Sequence, residues 1–197
     1  MSRIPAVAPQ DAGLLVRIAY RLARRRVGEV PEPFAVAANH RKLFFAGTMH
    51  ELAVERAVHV MPKALLQLAV YRTAWTVGCS WCVDFGVMLQ RLDGLDVERL
   101  RHIADFEASD AYSDEERDAI RYADAMTATP MTVTDEEVAT LVDRYGHEGV
   151  VELTYQIGLE NQRARFNHAL GITDQGFGSG DTCLVPWDVS EPATARA

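Results

Sequence analysis

KALLQLAVYRTAWTVGCSWCVDFGVMLQRLDG, residues 63–94, sets the fold class. Leu66, Val70, Ala74 and Val77 recur at helical spacing along Lys63–Val77. Pro62 stands just ahead, where a first helical turn tolerates proline because its N–H has no partner there in any case. Gly78 interrupts the run, and helical composition resumes from Cys79 to Arg91 before Gly94 ends it.

Outward from this stretch the chain continues as helix after helix. Towards the N-terminus, Pro9 and Asp11 open a segment running to Val27 and stopped by Gly28. Pro31 and Pro33 punctuate a connector whose second proline starts a short helix through Asn39, and His40–Val58 has helix-forming composition. Towards the C-terminus, Ser113-Asp114-Glu115-Glu116 and Thr134-Asp135-Glu136-Glu137 both fit a capping box. In that motif a hydroxyl and a carboxylate satisfy the unpaired N–H groups of a first turn reciprocally. Gly146 ends the second of these helices, and a final helix is predicted from His147 to Leu170 with Gly171 as its stop. Alternating β-branched runs bounded by turns are missing. The expectation is an all-α single domain over 1–172 and an irregular tail over 173–197, wrapping a surface or a neighbouring subunit.

The chain has 197 residues, 48% of them hydrophobic and 24% charged, which is globular composition with enough length for a sizeable core. The net charge of −8 argues against nucleic acid as a partner, because such affinity rests on basic surface meeting phosphate. The five arginines of Arg17–Arg26 fit salt bridges within the domain or across an oligomer better than a membrane surface. No stretch is apolar for the 18 or more residues of a membrane span. The N-terminus lacks an apolar signal region and carries Asp11 early. Three cysteines make no disulfide framework, so a cytoplasmic setting with reduced or redox-cycling thiols is expected.

Cys79-Ser80-Trp81-Cys82 is the most informative motif. Spacing i, i+3 puts two thiols on one helix face. At a helix start, partial positive charge from unpaired N–H groups favours the thiolate, the form that attacks disulfides and peroxides. Spacing alone leaves other readings open: two buried thiols in a helical core, or half of a zinc site. Zinc would need a further cysteine or histidine pair at ligand spacing; none exists, and Cys183 is alone. No metal and no cofactor is expected.

VYRTAWTVGCSWCVDFGVMLQRLDG (70–94) resembles the core motif of the alkylhydroperoxidase D / carboxymuconolactone decarboxylase family. RIPAVAPQDAGLL (3–15) is similar to the family's opening, and VPEPFAVAANHRKL (30–43) to its first connector and helix. SDEERDAIRYADAMTATPMTVTDEEVATL (113–141) and VVELTYQIGLENQRARFNHALGI (150–172) resemble its longer members. The resemblance implies an alkylhydroperoxidase D-like bundle of roughly eight helices that assembles as a homo-oligomer. It also implies Cys82 as the attacking thiol and Cys79 as the resolving one. In active redox members a glutamate twelve residues before the first cysteine and a histidine four after the second relay protons. Those positions are Gln67 and Gly86 here. A neutral amide takes up no proton and glycine has no side chain, so the thiols stand without the family's base. Nothing supports the decarboxylase branch.

Other groups are candidates to replace that base. Asp84 lies two residues past Cys82, about 200° around the helix, and reads as a surface acid of a first turn. Asn161, Arg165 and His168 form one polar stripe on the final helix, read first as a hydrogen-bonded structural cluster or subunit contact. Were that stripe to face the cysteines, Arg165 would lower a thiol pKa and His168 would shuttle protons. Glu51, Glu55 and His59 share a face that is half of a carboxylate metal site at most, and a solvated face is the plainer reading. Tyr71, Trp75 and Trp81 flank the pair as core aromatics, with Trp81 placed to shape an apolar mouth. The expected function is therefore a thiol oxidoreductase acting on a small peroxide or a disulfide, re-reduced by a thiol or dithiol, with activity weakened by the missing relay. The alternative is a non-catalytic helical scaffold, ligand binder or redox sensor.

Overall fold

The protein is described by a computed structural model covering residues 2–178. These residues form seven α-helices and one 3-10 helix with no strand among them. The helices are α1 (Leu14–Val27), α2 (Glu32–Ala37), α3 (Arg41–Ala57), α4 (Lys63–Val77), α5 (Ser80–Leu92), α6 (Asp114–Thr127) and α7 (Asp135–Ala169); the 3-10 helix spans Glu98–His102.

α4 is the central element and packs on α5, α6 and α7. Its residues Leu65, Leu66, Leu68, Ala69, Tyr71, Thr73 and Ala74 are all buried, so it is apolar nearly all round, as a helix enclosed by neighbours must be. One face of α4 shares a core with α6 and the middle of α7 through Leu65, Ala69, Ala123, Leu153 and Ile157. Another face shares one with α5, the 3-10 helix and the C-terminal end of α7 through Leu68, Val83, Val87, Leu100 and Ala164. α1, α2 and α3 close a smaller core around Val16, Tyr20, Val36's neighbour Ala35, and Phe44.

Both predicted capping boxes form. Ser113 Oγ accepts from the Glu116 N–H at 3.3 Å while Glu116 returns a carboxylate to the Ser113 N–H at 3.0 Å. Thr134 and Glu137 do the same at 3.2 and 2.7 Å. Each such cap is worth about 1 kcal/mol. Gly146, at φ 68° and ψ 173°, breaks α7 into two helical stretches, which is where the sequence places an end. Gly78, at φ 81°, sits in the left-handed region between α4 and α5, and its N–H and that of Cys79 return to the Ala74 carbonyl.

Two charged anchors fix the central helix, and a third ties α7 to α3. Glu152 on α7 accepts the N–H groups of His59, Val60 and Met61 at 2.9–3.0 Å and sets the entry into α4. Burial works to raise its pKa, but those three donors hold the carboxyl below its ordinary range. Arg72 is buried between the Trp75 and Phe106 rings and gives two bonds to Asp124 on α6, at 2.7 and 2.9 Å. The same guanidinium reaches the Ile103 carbonyl at 2.5 Å, so one side chain ties α4, α6 and the segment after the 3-10 helix. Arg163 on α7 pairs with Glu51 on α3. No helix among the described residues is long and apolar enough to cross a membrane.

Candidate functional site

Cys79 caps α5. Its backbone is extended, and its Sγ accepts the Cys82 N–H at 3.2 Å, the role a serine hydroxyl fills at an ordinary helix start. Cys79 and Cys82 are joined in a disulfide with Cα atoms 5.3 Å apart, inside the span such a bond requires. The left-handed turn at Gly78 sets this up, because it ends α4 and starts α5 within three residues. Cys79 is 1% exposed and Cys82 8%, so neither sulfur is open to a bulky reagent in this arrangement. Cys183 lies outside the described residues.

Asn167, near the end of α7 and 3% exposed, supplies the side-chain donor to the pair. Its Nδ2 lies 3.3 Å from Cys82 Sγ and 3.8 Å from Cys79 Sγ. The sequence reading missed it by choosing the neighbouring stripe. Asn161 donates to Thr127 Oγ1 at 3.0 Å, Arg165 reaches the Thr127 carbonyl at 3.5 Å, and His168 Nδ1 pairs with the Val77 carbonyl at 3.1 Å. That stripe binds α7 to the ends of α6 and α4 rather than to the sulfurs. The signal for Asn167 was present: Leu153, Ile157, Glu160, Ala164 and Asn167 are buried at i, i+4, i+7, i+11 and i+14, so the core face of α7 ends in an amide.

Asp84 requires a correction. Expected as a first-turn surface acid, it is 2% exposed. Its carboxylate accepts the backbone N–H groups of Gln175, Phe177 and Gly178 at 3.0, 2.9 and 2.5 Å. The C-terminal segment returns over α5 and supplies donors that local sequence around Asp84 does not announce. Trp81, between the cysteines, donates its indole N–H to Gln175 Oε1 at 2.7 Å and stacks on Phe85 at 4.7 Å. Phe177 meets both rings edge-on. Gln175 Oε1 also accepts the Glu32 N–H at 2.6 Å, so residues 172–178 form a strap linking α2 to the cysteine helix. Of the expected irregular tail, 179–197 lies outside the described residues.

The two relay positions are occupied in other ways. Gln67 Nε2 donates to Asp93 Oδ2 at 2.5 Å, beside Lys63 on the same carboxylate. A Cβ at Gly86 would stand 3.2 Å from the Tyr71 ring, so α4 and α5 are packed closely where the family's histidine would begin. Glu51, Glu55 and His59, expected as a solvated face, are taken up by Arg163, Arg26 and the Ala57 carbonyl. No cluster of three or more metal-ligating side chains occurs among the described residues.

Over 173 residues the sequence is 33% identical to the uncharacterized protein YnjA of Escherichia coli K12, covering 88% of this chain and 92% of that one. A second relative, the alkyl hydroperoxide reductase Rv2159c of Mycobacterium tuberculosis, is 34% identical over 86 residues, 43% of this chain and 24% of that one. The chain thus matches about a quarter of that relative's length. A peroxidase-related protein of Silicibacter sp. TM1040 shares the fold at a TM-score of 0.77 and 13% identity, covering 90% and 93% of the two chains. An alkylhydroperoxidase AhpD core protein of Ralstonia eutropha JMP134 does so at 0.73 and 16%, covering 91% and 96%. The debrominase Bmp8 does so at 0.76 and 18%, covering 89% and 94%. No profile of a known protein family matches the sequence. The cysteine pair opening α5, the all-helical architecture around it and a relative aligned over nearly its whole length agree, and the chain belongs to the alkylhydroperoxidase D-like family.

Proposed function

We propose that the chain is a thiol oxidoreductase in which Cys82 and Cys79 cycle between dithiol and disulfide to reduce a small organic hydroperoxide. The observation carrying this reading is the disulfide at the start of α5, with Cys79 as its cap. The helix start favours a thiolate there, and the bridged pair is the oxidised half of the cycle. In the reductive half an external dithiol passes two electrons and two protons to the disulfide. In the oxidative half the Cys82 thiolate attacks the hydroperoxide's terminal oxygen. The O–O bond breaks, Cys82 becomes a sulfenic acid, and the departing alkoxide takes a proton from water to leave as an alcohol. The Cys79 thiol then condenses with the sulfenic acid, releasing water and reforming the disulfide. Hydroperoxide is preferred as the electrophile because of the named relative from Mycobacterium tuberculosis. A cytoplasmic setting and self-association of the chain are part of the same reading.

Gln67 bonded to Asp93 and Gly86 packed on Tyr71 favour a slow cycle, and they favour a redox-sensing or purely structural pair as the second reading. One experiment separates the two. Reduced protein is mixed with cumene hydroperoxide and free thiols are titrated over time. The enzyme reading expects two thiols lost per hydroperoxide consumed, no such loss in Cys82→Ser, and a trappable sulfenic acid in Cys79→Ser. Thiols that survive excess hydroperoxide at the rate of free cysteine would leave the second reading standing.

A further inference from the structure

We propose that Asn167 is a catalytic residue of this site, and that it decides which of the two cysteines attacks. The inference deepens the thiol-redox reading and rests on it. The start of α5 by itself favours Cys79, since that sulfur caps the helix and already accepts the Cys82 N–H at 3.2 Å. Yet Cys79 is the more enclosed of the two, 1% exposed against 8%. Left to the helix terminus alone, the favoured thiolate is the one a substrate reaches less well. Asn167 offsets that bias by giving Cys82 a donor of its own, 3.3 Å away and nearer to it than to Cys79.

The chemistry of an amide suits this role. It donates and cannot take up a proton, so it does not replace the family's base. Its bond to a disulfide sulfur is weak, but when the bridge is reduced the same donor faces a thiolate, and a hydrogen bond to an ionised acceptor is roughly twice as strong. The donor therefore favours the reactive form most. The end of α7 is also held so that the amide cannot drift. The Asn167 carbonyl accepts the Ile172 N–H at 3.0 Å, His168 bonds to the carbonyl of Val77 at 3.1 Å, and the Leu170 carbonyl accepts from the Arg3 N–H at 2.7 Å. Asp84 and His168, the titratable groups next along the chain from Cys82 and Asn167, are bonded to the 175–178 backbone and to Val77 instead.

The test labels the reduced protein with less than one equivalent of iodoacetamide at a fixed pH and maps the modified cysteine by fragment mass spectrometry. Wild type is expected to label at Cys82 ahead of Cys79, a preference that vanishes in denaturant. Asn167→Leu, of similar size without a donor, is expected to slow Cys82 labelling roughly tenfold and to level or reverse the ratio. Asn167→Asp, which puts an anion where the donor stood, is expected to slow it at least as much. An unchanged ratio in a folded Asn167→Leu variant overturns the inference. Preferred labelling of Cys79 in wild type also overturns it, even if no variant folds. Because labelling involves no peroxide, Cys82 preference without peroxide-driven thiol loss would defeat the redox reading alone, and thiol loss with Cys79 labelled first would defeat only the role of Asn167.

Discussion

The Tyr71 ring lies against Gly86 so closely that a Cβ on the glycine would stand 3.2 Å from Tyr71 Cδ2. Tyr71 is itself buried, so the ring has little room to give way. α4 and α5 therefore meet closely one helical turn from Cys82, at a point where a Cβ fits only if the Tyr71 ring gives way by a few tenths of an ångström. Gly86→His is expected to cost about 1–3 kcal/mol, the range for overpacking a closed core, and Gly86→Ala less. Urea denaturation of both variants checks the order. A folded Gly86→His variant as stable as wild type would mean that the helices separate without cost.

Gln67 gives its amide to Asp93 at 2.5 Å, with Lys63 on the other oxygen of that carboxylate. Burial works to raise the Asp93 pKa, and these two bonds outweigh it and hold the carboxyl below its ordinary range. Gln67→Glu would replace a donor by a second anion. The new carboxyl is expected to titrate higher than a free one, so its penalty is absent in acid and grows as the pH rises through its pKa. The variant should match wild type near pH 4 and lose about 1–2 kcal/mol at pH 8. Combined with Gly86→His in a variant shown to fold, it restores the family's pair. Turnover with cumene hydroperoxide is then expected to rise about tenfold or more. No gain in the folded double variant would place the limiting step elsewhere.

Asp84 collects three backbone N–H groups of the C-terminal strap, and Trp81 holds Gln175 from the same helical turn. Removing the carboxylate leaves three donors without their acceptor. Asp84→Ala is expected to cost about 2–4 kcal/mol and to open the segment after Ile172 to limited proteolysis. Because the strap packs on Trp81 and Phe85 beside the sulfurs, the same variant should speed alkylation of Cys82. Equal proteolysis and equal alkylation in the two proteins would show that the strap is held by its aromatic contacts alone.

Much of this architecture can be read from local sequence, because local chemistry determines it. The Ser113 and Thr134 caps, the stop at Gly28, the break at Gly146 and the turn at Gly78 each follow from a few adjacent residues, and each lies at its expected place. The cysteine pair was equally visible. Asp84 and Asn167 were not, for different reasons. Asp84 is a buried acceptor only because residues more than ninety positions away return to it, and no local pattern encodes that. Asn167 lay on a stripe that periodicity does reveal, but the polar run Asn161, Arg165 and His168, about 100–160° around the same helix, drew attention instead. A buried polar residue ending an apolar stripe is a stronger signal than a run of polar ones on its flank.

α1 keeps Leu14, Leu15, Ile18 and Leu22 exposed, on a helix that also exposes Arg17, Arg21 and Arg24. Burying each such leucine or isoleucine is worth about 1.5–3 kcal/mol, so the face is well suited to close against a second copy of this net-acidic chain. Light scattering at micromolar concentration is expected to give a mass of at least two chains. Ile18→Glu with Leu22→Glu should shift it downwards without loss of helical content. A wild-type mass of one chain would contradict the proposed self-association.

Glu160 is 5% exposed on the core face of α7. Burial pushes its pKa up to about 7 from 4.5; Arg163, 3.4 Å away, works against this and Glu51 adds to it. Arg163 commits its other bonds to Glu51, which leaves Glu160 under-compensated. Below about pH 4.5 the carboxyl is neutral in both the folded and the unfolded chain, and it has no effect on the balance between them. Between 4.5 and 7 the folded chain holds a proton that the unfolded chain releases, so stability falls as the pH rises. Above 7 both are ionised and the folded state bears the whole penalty. The difference corresponds to about 3 kcal/mol. Glu160→Gln keeps the shape and removes the charge, so it should be nearly neutral at pH 4.5 and stabilising by up to about 3 kcal/mol at pH 8. Urea midpoints of the two proteins at both pH values measure this directly. Glu51→Gln provides the control: it frees Arg163 for Glu160 and removes a neighbouring anion, so it should shrink the pH-dependent gap. A gap that is the same at both pH values would show that Glu160 ionises as an ordinary carboxyl despite its burial, whereas a pH-dependent gap that Glu51→Gln leaves untouched would show that burial sets it without Glu51.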